Sequence, residues 1–379
     1  MTAFGRRCRT ARRPTRPGLG RRRGFALMIV LSLVAAASVL GLSFTSASTV
    51  RVRTADNFAR LSRARYLAES GLQHAIYMMR CDSAGLLASS AAKAMGPYFV
   101  DDSDDTYSVY LKSQPASDEY VLVARGQCGQ VQAEASVRVY CANTYAEQLL
   151  DLGPRSYWRL NETSGTRAWD TQRREDGQYC NHVQLNQPGA LIGSTDGAPE
   201  FDGHNDYVDT GKWSLSGSDL TIACWFKATD FHRDDARLIS KATGVNDNDH
   251  YFMLSTRRYQ GEMRLRFRLR SAGWTKCLHA TRGHAQPGRW IFAVAVYTGE
   301  EMILYQDGQE VGRCNKSGSL DTHSNVPVWI GGNPSGDRDR PWKGQIDEMA
   351  VWSKDLTATQ IQALYQARWP EVRVLEWIE

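Results

Sequence analysis

Residues 21–44, RRRGFALMIVLSLVAAASVLGLSF, decide how the rest of the chain is read. Three arginines abut a Gly24-Phe25 junction, and the 20 residues 25–44 that follow carry no charge. At about 1.5 Å per residue that run makes about 30 Å of helix, the thickness of a bilayer's hydrocarbon core. Residues 1–24 hold nine arginines and no acid, so they stay cytoplasmic and send the remainder of the chain outward. A secretory signal is the competing reading. Its apolar core is ordinarily about 7–15 residues long, and Ser46-Ala47-Ser48 offers only a weak cleavage site.

No proline interrupts residues 25–94, and helix formers continue through NFARLSRARYLAESGLQHAIYMMR with apolar positions at Phe58, Leu61, Tyr66, Leu67, Leu72, Ile76 and Met79. The pattern predicts one helix over residues 25–80, roughly 80 Å long, apolar in its first half and amphipathic in its second. With the Arg-Gly-Phe junction and the AESGLQHA stretch of residues 68–75, this segment resembles the N-terminus of the type IV minor pilins and pseudopilins. The resemblance implies a prepilin peptidase that cuts after Gly24 and leaves Phe25 as the methylated first residue. It also implies an inner-membrane, single-pass protein with its C-terminal part extracytoplasmic, able to join a pilus or surface fibre through its N-terminal helix and other pilins. One element departs from the pattern, because Ile29 stands where major pilins carry a glutamate. That is similar to tip-located minor pilins and the K-type pseudopilin, and it suits a segment kept in lipid, where a lone carboxylate is costly.

At 379 residues the length predicts two or three domains. The net charge of +5 is carried by the leader: without its nine arginines, 37 basic residues face 41 acidic ones, about −4. No nucleic-acid footprint remains. Cys8 falls in the leader, leaving seven cysteines, an odd number for an oxidising compartment, and none has zinc-ligand spacing. Cys128 with Cys141, or Cys277 with Cys314, could close a disulfide, and the pairing stays open.

The expected division is a basic leader at 1–24, a transmembrane segment at 25–44 within a pilin-like α+β module at 25–142, an all-β jelly roll at 143–370, and a tail at 371–379. In the module, TYSVYLKS, EYVLVARGQC and QVQAEASVRVY alternate like three antiparallel strands, with Gly126 and Gly129 taken to mark the last turn. Beyond Asn143 come many short strands, among them LTIACWFKA, HYFMLSTRR, MRLRFRLRS, RWIFAVAVYTG and QIDEMAVWS, separated by Gly, Asp and Asn turns. About 12 strands in some 225 residues predict one two-sheet sandwich. Gln306-Asp307-Gly308-Gln309 is a tight hairpin turn, and residues 355–368 a short helix capped by Thr357. The order YWRLNETSGTRAWD, PEFDGHNDYVDTG, LTIACWF, LYQDGQEVG, VWIGGN and WKGQIDEMAVWSKDLTATQIQALY resembles the laminin-G-like, concanavalin-A-like jelly roll over residues 145–367.

Related glycanases place their carboxylates as Glu-x-Asp-x-x-Glu on one strand. Here the counterpart is Gln345-Ile346-Asp347-Glu348, where the strand period of two should send Asp347 and Glu348 to opposite faces. No catalytic residue is assigned and no enzyme is expected. The resemblance implies a structural calcium ion on Asp202, the Gly203 carbonyl and Asp347, oxygen ligands that suit that metal; the same residues could equally be turn formers. In MRLRFRLR, Arg264, Arg266, Arg268 and Arg270 share one face about 7 Å apart. This cationic stripe, with Trp274 as a stacking surface, could bind an anionic glycan, or the arginines could pair with acids on neighbouring strands. The function expected is display of a lectin-like jelly roll that adheres to glycans or surface proteins. The alternative is a structural component of a pilus or secretion pseudopilus with no ligand of its own.

Overall fold

The computed structural model describes residues 20–81, 83–100, 104–334 and 340–378. The leader's residues 1–19, with Cys8, lie outside the described residues, and so do the side chains of residues 20–24, Gly24 included. From Gly20 to Cys81 the chain is one 62-residue helix, as the unbroken run of helix formers predicts. From Phe25 onward it is long and apolar enough to cross a membrane. Within the apolar half, Ser32 and Ser38 donate their hydroxyls to the helix's own carbonyls, those of Met28 and Val34 at 2.8 Å, which suits an apolar solvent.

The second half of the helix buries a stripe of Ala64, Leu67, Ala68, Leu72, Ala75, Ile76 and Met79 on a five-stranded antiparallel sheet. In order across that sheet lie Met95–Phe99, Thr106–Ala116, Glu119–Cys128, Val131–Ala142 and Glu371–Ile378. The three central strands are those the alternation predicts. The tail expected at 371–379 is corrected, because Glu371–Ile378 pairs antiparallel with Val131–Ala142, Glu371 opposite Ala142 and Ile378 opposite Ser136. Gly126 is corrected as well. It lies inside its strand opposite Ala133, not in the turn, where the helix comes closest to the sheet. A Cβ there would fall 2.6 Å from the Ala68 nitrogen and 2.8 Å from the Leu67 Cβ.

Residues 143–370 therefore form an insertion between two paired strands of the head sheet. Its entry and exit are tied together by the Asn143 amide, which donates to the carbonyls of Arg368 at 3.0 Å and Ile192 at 3.1 Å. The insertion is a sandwich of two eight-stranded sheets. One runs Trp274–His279, Glu262–Ser271, His250–Tyr259, Arg237–Ala242, Val328–Ile330, Tyr207–Asp209, Gly177–Cys180, Arg167–Ala168. The other runs Gln309–Asn315, Glu301–Gln306, Ile291–Tyr297, Leu220–Ala228, Lys343–Trp352, Gly197–Asp202, Gln184–Pro188, with Ser156–Trp158 also on Lys343–Trp352.

Between the sheets Phe201, Phe226, Leu254, Phe267, Leu304, Ile346 and Met349 fill the main core. A second core lies on the outer side of the latter sheet, where Tyr145, Trp225, Phe292, Trp352 and Ile361 pack under the helices Tyr145–Asp151 and Ala358–Gln366. Thr357 caps the latter helix in a capping box with Gln360, and Asp307 and Gly308, at φ of 52° and 78°, make the hairpin turn. The seven described cysteines are thiols. Cys128 and Cys141 cannot pair, since Cys128 opposes Val131 and Cys141 lies ten residues further along that strand, about 33 Å away.

Candidate functional site

The outer face of the first sheet is polar. Register places Arg167, Gln178, Asp209, Trp329, Ser240, Met253 and Arg268 in one row across its strands. Tyr207 is a diagonal neighbour of Trp329 in that row, and the two rings stack with centroids 3.7 Å apart at 18°. Gly332 leaves room for them, since a Cβ there would sit 3.2 Å from the Tyr207 Cβ. Beside the pair opens a pocket of about 140 Å³ lined by Asn181, Asn205, Asp206, Asn333, Arg340 and Pro341. The Trp329 indole N–H finds no acceptor among the described residues. Asn333 is held rigidly, accepting from Ser240 Oγ at 3.0 Å and donating to the Gly244 carbonyl at 3.0 Å.

The arginine stripe shares this face but is not an open surface. Arg266 and Arg268 are 2% and 5% exposed. Arg266 bonds Asp235 and, at 3.1 Å, Ser255 Oγ; Arg268 meets Asp247 at 2.6 Å. Arg264 pairs with Glu262 at 2.7 Å and Arg270 with Asp321 at 2.9 Å. Of the two readings of the stripe, the structure has the paired one in place of the free one: Glu262 stands on the arginines' own strand, and Asp235, Asp247 and Asp321 reach in from segments outside the strands. Trp274 does not join it. It opposes Ser271, on the alternate face from Arg268 and Arg270, and Lys316 Nζ covers its ring at 3.6 Å. His250, wedged between Arg237 and Arg268, is kept neutral, burial foremost pushing its pKa down to about 3.

The residues nominated for calcium are not brought together. Asp202 Oδ1 accepts from the His204 N–H at 2.7 Å and the Asn205 N–H at 3.3 Å, a turn-forming role. The Gly203 carbonyl meets His232 Nε2 at 3.0 Å. Asp202 opposes Lys343, four residues and so about 13 Å along the strand from Asp347. No cluster of three or more His, Cys, Asp or Glu placed for a metal occurs among the described residues.

Asp347 and Glu348 do not point to opposite faces. Ile346 and Met349, three apart, both enter the inter-sheet core, and Glu348 has φ of 51°. This β-bulge puts both carboxyls on the outer side, 2% and 0% exposed. Asp347 accepts from the Ala190 N–H at 2.8 Å, Tyr157 donates its hydroxyl to Glu348, and Arg159 Nε lies 3.6 Å from Glu348. Burial pushes the Glu348 carboxyl up to about 7, and burial with the Glu348 charge holds Asp347 well above its ordinary value. A raised carboxyl stabilises the fold fully below its unfolded pKa and loses that contribution as pH rises through the folded one. Glu348→Gln is therefore expected to flatten the stability profile between pH 5 and 8, where the wild type loses stability as this carboxyl ionises. Urea unfolding at the two pH values measures it, and an unchanged slope in the variant removes Glu348 as the cause.

Residues 202–362 match the family described as the concanavalin A-like lectin/glucanases superfamily. Among solved structures the chain is similar to domain 4 of an extracellular arabinanase from Geobacillus stearothermophilus in complex with arabinotriose, at 16% identity, covering 56% of this chain and 98% of that one with a TM-score of 0.42. It is also similar to a pentraxin from Limulus polyphemus, at 20% identity over 41% of this chain and 72% of that one, TM-score 0.33. A third similarity is to a sialidase from Trypanosoma rangeli, at 12% identity over 70% of this chain and 45% of that one, TM-score 0.41. No curated protein matches the chain.

Proposed function

We propose, from a concanavalin A-like jelly roll carried on a helix able to cross a membrane, that this protein is a pilin-like subunit displaying a glycan-binding domain outside the cell. The observation that carries the binding half is the stacked Tyr207–Trp329 pair beside a pocket walled by asparagines and an arginine. A sugar ring offers an apolar face for an aromatic side chain and hydroxyls for amides, and the pocket supplies both. Support for the pilin half is the Gly24-Phe25 junction, the apolar helix and Ile29. Through that helix the subunit would contact other pilins after processing by a prepilin peptidase. The insertion of residues 143–370 into the head sheet fits a subunit at the tip of a fibre, where bulk above the head meets no neighbour.

Full-length protein in detergent micelles, applied to a glycan array, tests the reading. The wild type is expected to bind, and Trp329→Ala to lose at least about tenfold in affinity, roughly 1.4 kcal/mol or more, with unchanged thermal unfolding. Equal binding by the variant would move the site elsewhere. A blank array would leave the assembly role, in which the jelly roll adds only bulk and subunit contacts.

A further inference from the structure

We propose that the site reads the end of a linear oligosaccharide, with the terminal sugar against the Tyr207–Trp329 pair and the residues behind it running over Asp209, Gln178 and Arg167 to the rim of the sheet. The inference rests on the glycan-binding reading above and adds the length and orientation of the ligand.

The row of outer-facing residues across the first sheet changes character at Trp329. On one side of it Ser240 and Met253 are 0% exposed and Arg268 is 5% exposed. Side chains lie over them: Asn333 accepts from Ser240 Oγ at 3.0 Å, and Arg266 Nη2 reaches Met253 Sδ at 3.6 Å. No sugar can lie on that side. On the other side the row is open, with Asp209 half-buried and Gln178 and Arg167 exposed. A chain seated on the aromatic pair therefore has one way out, toward Arg167–Ala168, the last strand of the sheet.

The open side is furnished for hydroxyls. A hollow of about 510 Å³ there is lined by Thr166, Arg167, Asp176, Gln178, Asp209 and Gly211. Asp209 joins it to the aromatic pair, since it opposes Trp329 on one neighbouring strand and Gln178 on the other. Its Oδ1 accepts from the Gly211 N–H at 2.9 Å, and Oδ2 has no partner among the described residues. The Gln178 amide makes no hydrogen bond among the described residues and offers a ligand both donors and an acceptor. Arg167 is steadied by Asp176 at 2.8 Å and by the Trp169 ring at 4.3 Å, yet its side chain stays 59% exposed. Nothing closes over the path at Gly211, where a Cβ would meet no atom within 4 Å. From Trp329 to Arg167 the row crosses three strand spacings, about 14 Å in all and longer than one sugar ring. A carboxylate, an amide and a guanidinium in line can each take hydroxyls of successive sugars.

The test titrates full-length protein in micelles with cello-, xylo-, manno- and galacturono-oligosaccharides of one to six residues, each free, blocked at its reducing end, or blocked at its non-reducing end. In a series that binds, the trisaccharide is expected to bind about tenfold or more tighter than the single sugar, because two or three added hydrogen bonds are each worth a few-fold. Blocking one end is expected to abolish binding and blocking the other to leave it. The double variant Arg167→Ala with Gln178→Ala is expected to melt as the wild type does and to shrink the ratio of trisaccharide to monosaccharide affinity to about threefold or less. That ratio is read within each protein, so a general loss of affinity cancels. Equal affinity for one sugar and three in the wild type, with Trp329→Ala still defective, would overturn the proposal and leave the glycan site standing. Tolerance of both blocks, or of neither, would overturn the one-ended path. A ratio that survives the double variant would overturn Arg167 and Gln178 as its floor. No binding to any member would overturn the site and this inference together.

Discussion

Gly126→Ala is expected to cost the head roughly 3 kcal/mol, the upper part of the range for overpacking, and to separate the long helix from its sheet. The added methyl would meet backbone at the Ala64 carbonyl oxygen and at the Ala68 nitrogen, 2.6 Å away, and would meet the Leu67 Cβ at 2.8 Å. None of these is the end of a flexible side chain, so relief requires the helix to move away and to give up the contacts of Leu72, Ile76 and Met79 with Leu122, Val137 and Val139. Gly85→Ala is the control, because its methyl would meet the end of the Met95 side chain, Cε at 3.2 Å and Sδ at 3.6 Å, which can swing aside. Urea unfolding followed by helix content should show the first variant strongly destabilised and the second within about 1 kcal/mol of wild type. Equal effects would mean that the helix and sheet are not packed as closely as described.

Asp235→Ala is expected to cost about 4 kcal/mol in the jelly roll, as for a buried ion pair with one partner removed. Burial pushes the Asp235 carboxyl up, and the guanidinium groups of Arg237, Arg266, Arg340 and Arg257 outweigh it, leaving the group below its ordinary range. Without it, Arg237 and Arg266 stay in place with no carboxylate within reach among the described residues. Removing one of those cations as well should recover part of the loss, so Asp235→Ala with Arg266→Met should be more stable than the sum of the separate effects. Strict additivity would show that Asp235 and Arg266 are not coupled. The sign with pH is opposite to that of Glu348: a depressed carboxyl stabilises above its unfolded pKa, and the contribution is lost as pH falls through the folded value.

The architecture was legible wherever local pattern controls structure. The uncharged run of 25–44, the alternation in MRLRFRLRS and the Asp307-Gly308 turn each correspond to an element of the expected kind. What escaped the sequence depends on pairings across long separations. Tyr207 and Trp329 lie in quoted motifs, yet the 121 intervening residues hide that their strands are neighbours. Arg266 and Arg268 do share a face, as the period of two requires, but the acids that cover them, Asp235 and Asp247, arrive from loops rather than from the next strand. Asp347 and Glu348 misled because alternation assumes a regular strand, and one inserted residue overrides it. The strand Glu371–Ile378 alternates poorly, and its partner, Val131–Ala142, lies on the far side of the whole insertion.

The claim on which the account turns is that the jelly roll is displayed from a processed, pilin-like anchor, and intact-mass and peptide mass spectrometry of protein isolated from its native membranes tests it most directly. The account predicts a chain that begins at Phe25 with its amino group methylated. A chain that keeps residues 1–24, or one that begins beyond residue 44, would contradict it.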